Sequence, residues 1–131
     1  MLRLEVITPT GSVLDVQVAG VTAPGELGAF QVLPQHLPML TLLSGGRITY
    51  QGAKGGTGYV LVRGGVVEVS AEGHILVLSD EVQLEGELNT DRARQIQARA
   101  EKGLVNDQYL TDDALANLRK DLAYAEAVLS A

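Results

Sequence analysis

Residues 25–46, GELGAFQVLPQHLPMLTLLSGG, bring an apolar run, two prolines and a histidine into one stretch. Pro34 and Pro38 each lack a backbone N–H and fix φ, so Leu33 to Met39 can form neither a central strand nor a helix interior. The stretch therefore predicts an ordered, partly exposed loop. Gly25 and Gly28 permit a tight approach turn ahead of it, and Gly45-Gly46 read as a turn after the apolar run Met39 to Leu43. A loop of this kind has to be displayed by strands, and its half-apolar surface suits docking on a partner.

Strand patterns lie on both sides. Leu2, Leu4 and Val6 alternate with Arg3 and Glu5, and Val13 to Val18 alternate with Asp15 and Gln17 outward, with Val21 to Ala23 continuing past Gly20. Arg47 to Tyr50 and Tyr59 to Val62 flank a glycine-rich tip, Gly52 to Gly58, which is the signature of a hairpin. Val66 to Ser70 and Ile75 to Leu78 flank the turn Ala71-Glu72-Gly73, and Val82 to Leu84 makes a last short strand. Seven to ten short strands with glycine turns predict an antiparallel β-sandwich or flattened barrel over residues 1–86. Within it, Gly64-Gly65 marks a kink, a bulge or a place where another backbone comes close.

The remaining residues, 87–131, are written differently. Fourteen of the fifteen glycines and all four prolines precede residue 87, whereas nine of the fourteen alanines follow it. That is a change from turn-rich sheet to helix. Asn89 or Thr90 can cap a first helix with Ala93, Ile96 and Ala100 on one face, Arg99 and Lys102 in its last turns and Gly103 to stop it. A second helix starts near Asn106 or Thr111, with Leu115, Leu118, Leu122, Ala125 and Leu129 in one stripe. The two stripes predict an antiparallel hairpin; because the first is mostly alanine their contact is expected to be shallow, and a helix pair burying so little is expected to hold to the sandwich only weakly and to move readily.

Composition narrows the function. With 46% hydrophobic residues the chain can bury a core, yet no apolar run approaches the roughly 18 residues of a membrane span. The amino terminus has neither the basic segment nor the apolar stretch of a secretory signal, and cysteine is absent, which fits a reducing cytoplasmic setting. A net charge of −6 argues against nucleic acid or an anionic lipid surface as a partner. Catalysis finds no constellation: His36 and His74 are the only histidines and the carboxylates are scattered. Lys54-Gly55-Gly56-Thr57-Gly58 lacks the residue order of a phosphate loop, and no metal-ligand spacing occurs.

Two motifs carry a resemblance. Gly28, Phe30, Val32, Leu33, Pro34, His36, Pro38, Leu40 and Thr41 fall in register with GEFGVLPGHAPLLT of the epsilon subunits of F-type ATP synthases. Gly64-Gly65-Val66-Val67-Glu68-Val69 and Val77-Leu78-Ser79-Asp80 resemble that family's GGxxEV and VTVLAD. Ala29 stands where the family often has an acidic residue, and Gln31 and Gln35 stand where it has glycines. The resemblance covers essentially the whole chain and implies a non-catalytic rotor subunit of a proton-translocating ATP synthase. It would join the gamma subunit to the c-subunit ring at the cytoplasmic face of the plasma membrane, or at a thylakoid, without entering the bilayer.

The resemblance also assigns roles. Val32, Leu33, Pro34, His36, Pro38, Met39 and Leu40 would supply the docking loop. Arg92, Arg94, Arg99, Lys102, Arg119 and Lys120 would carry the hairpin's regulatory contact with the alpha/beta catalytic head, opposing ATP hydrolysis. Some bacterial members open the first helix with isoleucine or leucine, aspartate, two variable residues, arginine, then alanine or methionine, and bind ATP there. Leu88 to Ala93 is similar with Asn89 in place of the aspartate, which implies a weak regulatory ATP site at Asn89, Arg92 and Arg99. The alternative reading is a stand-alone ligand- or nucleotide-binding β-sandwich protein. A carbohydrate-binding groove would need exposed aromatics, and the chain has no Trp, one Phe and four Tyr.

Overall fold

The computed structural model of the chain describes residues 1–106 and 110–131. Its elements in chain order are β1 (Leu2–Thr8), β2 (Gly11–Gly25), β3 (Gly28–Val32), β4 (Met39–Gly52), β5 (Thr57–Val69), β6 (His74–Leu78), β7 (Val82–Leu84), α1 (Thr90–Asn106) and α2 (Asp112–Ser130). Strands pair in the order β1-β6-β5-β4-β2, and β1 returns to β2, which closes a flattened barrel; β3 extends from β2 and β7 from β5. Closure leaves fewer free strand edges than an open sheet would have. Every pairing is antiparallel except that of β1 with β6.

The alternation read along β1 is the alternation observed. Leu2, Leu4 and Val6 point inward and are buried, joined by Val18, Val21, Val32, Leu43, Ile48, Val60, Val62, Val67, Val69, Ile75 and Val77 in one core. Each such side chain, fully buried, contributes about 1.5–3 kcal/mol. β-branched residues dominate this core because they suit a pleated surface.

Three expectations from sequence need correction. The seven strands fall within the expected number, but three are longer than the turn signals suggest: β2, β4 and β5 run 15, 14 and 13 residues. Gly45-Gly46 is not a turn but the middle of β4, where the chain stays in register with Arg63 and Val62 of β5. Gly103 does not stop α1, which continues to Asn106. A Cβ there would lie 3.2 Å from both methyls of Leu118, so the glycine serves helix-to-helix contact instead of termination.

Of the readings left open for Gly64-Gly65, close backbone approach is what the structure shows. Gly65 has φ +133, and a Cβ on it would meet the carbonyl oxygen of Leu78 at 2.0 Å. Asn89 and Thr111 both act as helix caps, accepting from the Arg92 N–H at 2.9 Å and the Ala114 N–H at 3.1 Å.

Candidate functional site

The proline loop between β3 and β4 is tied down by its own histidine. The His36 N–H donates to the Leu33 carbonyl at 3.1 Å, and ring Nδ1 donates to the Leu37 carbonyl at 2.6 Å. Gln35 sits at φ 69, a left-handed conformation costly for a residue with a side chain. The tightened loop lifts Leu33, Leu37 and Leu40 into solvent at 50%, 79% and 69% exposure. Pro34 and Pro38 are exposed between them, and His36 and Met39 are half-buried. Val32 faces the other way: it is fully buried in the barrel core, so its side chain holds the loop's base and is not available to a partner.

The helices dock on the barrel through a second core. Leu61 of β5, Ala93 and Ile96 of α1, and Tyr124, Ala125 and Val128 of α2 are buried together. The predicted stripe on α2 thus included Ala125 but missed Tyr124 and Val128, an i, i+4 pair that helical spacing makes readable. The contact is deeper than an alanine stripe suggests because Tyr124 fills it, and aromatic rings bury about 150–250 Å².

Ion pairs flank this core. Arg63 of β5 donates from Nε and Nη2 to the Asp121 carboxylate of α2, the latter at 2.9 Å. Arg92 of α1 donates from Nη2 to Glu81 at 2.8 Å, and Lys120 reaches Glu26 at 3.0 Å. Burial works to raise the Glu81 pKa, but the Arg92 hydrogen bonds, the neighbouring Tyr124 hydroxyl and the Arg63 charge outweigh it and hold the carboxyl below its usual range. Tyr124 responds in the opposite sense. Its buried hydroxyl makes no hydrogen bond of ordinary geometry, and burial followed by the Glu81 charge pushes its ionisation well up.

These contacts sort the hairpin's basic residues. Arg92 and Lys120 are spent holding the helices to the barrel, while Arg94, Arg99, Lys102 and Arg119 face solvent, Arg94 with Asp91 at 3.5 Å. The residues singled out for ATP do not converge on an open site. Asn89 caps α1, Arg92 is engaged by Glu81, and Arg99 stands exposed farther along the helix. A cleft of about 520 Å³ is lined by other residues, among them Arg63, Asp80, Asn117 and Lys120. No group of His, Asp or Glu among the described residues could hold a metal ion, and no described helix is long and apolar enough to cross a membrane.

The barrel thus displays an exposed apolar loop and carries a helical hairpin held to it by ion pairs. The family described as "ATP synthase, Delta/Epsilon chain, beta-sandwich domain" matches residues 1–85. The chain belongs to this family. It is 40% identical over 124 residues to the ATP synthase epsilon chain of Nitratidesulfovibrio vulgaris, covering 95% of this chain and 91% of that one. It is 42% identical over 104 residues to ATP synthase epsilon chain 2 of Syntrophotalea carbinolica, covering 79% and 73%.

Solved structures share the fold. A chain of the Euglena gracilis mitochondrial ATP synthase OSCP/F1/c-ring assembly superposes with a TM-score of 0.75 at 18% identity, covering 98% of this chain and 79% of that one. A chain of the Tetrahymena thermophila mitochondrial ATP synthase central stalk and c-ring gives 0.63 at 13%, covering 98% and 94%.

Proposed function

We propose that this chain is a non-catalytic rotor subunit of a proton-translocating ATP synthase, peripheral at the cytoplasmic face of the membrane. Its barrel joins the gamma subunit to the c ring, and its hairpin restrains ATP hydrolysis. The observation that carries this reading is the reach of the similarity to an epsilon chain, which at 40% identity spans 95% of this chain and so includes hairpin as well as barrel. The docking surface is the loop tip, Leu33, Pro34, His36, Leu37, Pro38, Met39 and Leu40, on a scaffold rigid enough to transmit torque.

Restraint resides in α1 and α2. Docked on the barrel, the hairpin spends Arg92 and Lys120 on Glu81 and Glu26. Extended toward the alpha/beta head, it presents them together with Arg94, Arg99, Lys102 and Arg119. Such a switch requires two states separated by a few kcal/mol. A regulatory ATP is not part of this reading, because Asn89 and Arg92 already have partners.

Capture of purified gamma subunit tests the rotor assignment, and a chain that fails to bind gamma overturns it. Removal of residues 88–131 from the assembled enzyme is expected to keep coupling and to raise hydrolysis. Unchanged hydrolysis would remove the regulatory half.

A further inference from the structure

α2 meets the barrel backbone to backbone at one point. A Cβ built on Gly45 would stand 2.2 Å from the Lys120 carbonyl oxygen and 3.0 Å from the Tyr124 backbone nitrogen. Those two groups are one turn apart on α2, where residue i accepts from residue i+4, so the obstacle is a closed helical turn that cannot swing aside as a side chain would. Beside it on β5, a Cβ on Gly64 would lie 2.9 Å from Cδ of Lys120. Pairs Arg63–Asp121 and Lys120–Glu26 hold the helix at this place.

We propose that Gly45 is the seat that sets the docked state of the hairpin: only a residue without a side chain admits α2 there, and any side chain at position 45 releases α2 while leaving the barrel folded. The barrel should tolerate the change for two reasons. The three atoms nearest the added Cβ all belong to α2, and the φ of Gly45 lies outside the left-handed region, so alanine fits the strand backbone. Gly65 is the contrast, with φ +133 and its obstacle, the Leu78 carbonyl, on the barrel's own strand β6.

Hydrogen exchange on the whole 131-residue chain separates the two kinds of glycine. In Gly45→Ala, amides from Tyr124 to Val128 are expected to exchange at least about tenfold faster while those of Ile48, Val60 and Val62 keep their protection. Gly65→Ala is expected to lose protection in both sets. Unchanged α2 exchange in Gly45→Ala overturns the proposal, and so does loss of barrel protection in that variant, which would make Gly45 a barrel residue. The consequence in the assembled enzyme rests on the regulatory reading above, under which Gly45→Ala deepens the restraint on hydrolysis. Released helices with unchanged hydrolysis would overturn that reading and leave the seat standing.

Discussion

Arg63 on β5 and Asp121 on α2 lie 58 positions apart in the chain and meet through two hydrogen bonds, Nη2 to Oδ2 at 2.9 Å and Nε to Oδ1. A fork-to-carboxylate pair fixes orientation as well as distance, so it sets the angle at which α2 crosses the barrel. In Asp121→Ala the guanidinium, about two-thirds shielded, loses its main acceptor. Partial solvent exposure limits the expected cost to about 1–2 kcal/mol. Chemical denaturation and α2 amide exchange measure it, and an unchanged midpoint would show that the pair adds nothing to docking.

Glu81 makes docking sensitive to acid. Its folded-state pKa lies below the ordinary carboxylate value of 4.5, so the unfolded or undocked chain takes up the proton first. The stabilisation is therefore complete above that ordinary value and is lost as pH falls through the depressed folded value. α2 protection should be flat at neutral pH and decline in acid below about pH 4.5. In Glu81→Gln the acid-dependent part of that decline should shrink, because the titrating partner of Arg92 is gone.

Tyr124 sets the opposite limit. Its ionisation is raised above 10.0, so the undocked phenol loses its proton first and docking weakens as pH climbs above that value. Tyr124→Phe keeps the ring and removes a buried hydroxyl that has no hydrogen bond of ordinary geometry. At neutral pH the variant is expected to stay within about 1 kcal/mol of the parent, because relief from burying the hydroxyl offsets its loss as a neighbour favouring the Glu81 carboxylate, and it is expected to lose the alkaline decline. Tyr124→Ala, which empties the site, should cost about 3–5 kcal/mol. Thermal melts of the three proteins at neutral and alkaline pH distinguish these outcomes.

What the sequence made legible was local. The proline pair announced the loop, period-two alternation placed Leu2, Leu4 and Val6 inward, and Thr111 was one of the two starts offered for α2, because each signal acts over a few residues. What it hid depends on distant partners. Gly45-Gly46 looks like a turn until α2 is seen lying on Gly45, and Gly103 looks like a stop until Leu118 is seen against it. Arg63, Glu81 and Asp121 resemble solvating charges until the barrel closes. Val32 illustrates the reverse error: the motif that marks the exposed loop includes a side chain that the alternation of β3 sends into the core.

The loop offers the sharpest separation of stability from recognition. Leu37 is 79% exposed, so Leu37→Asp removes almost no buried contact and should alter the stability of the free chain by no more than about 0.5 kcal/mol. If the loop docks as proposed, the same change places a charge in a desolvated interface and should weaken partner binding by at least about tenfold, since an unpaired buried charge costs well over 1.4 kcal/mol. Val32→Asp should behave in the opposite order, unfolding the barrel before binding can be assayed, because Val32 is 0% exposed. Melting curves paired with capture assays on the two variants test both halves. A Leu37→Asp chain that melts and binds like the parent would move the docking surface away from the loop tip.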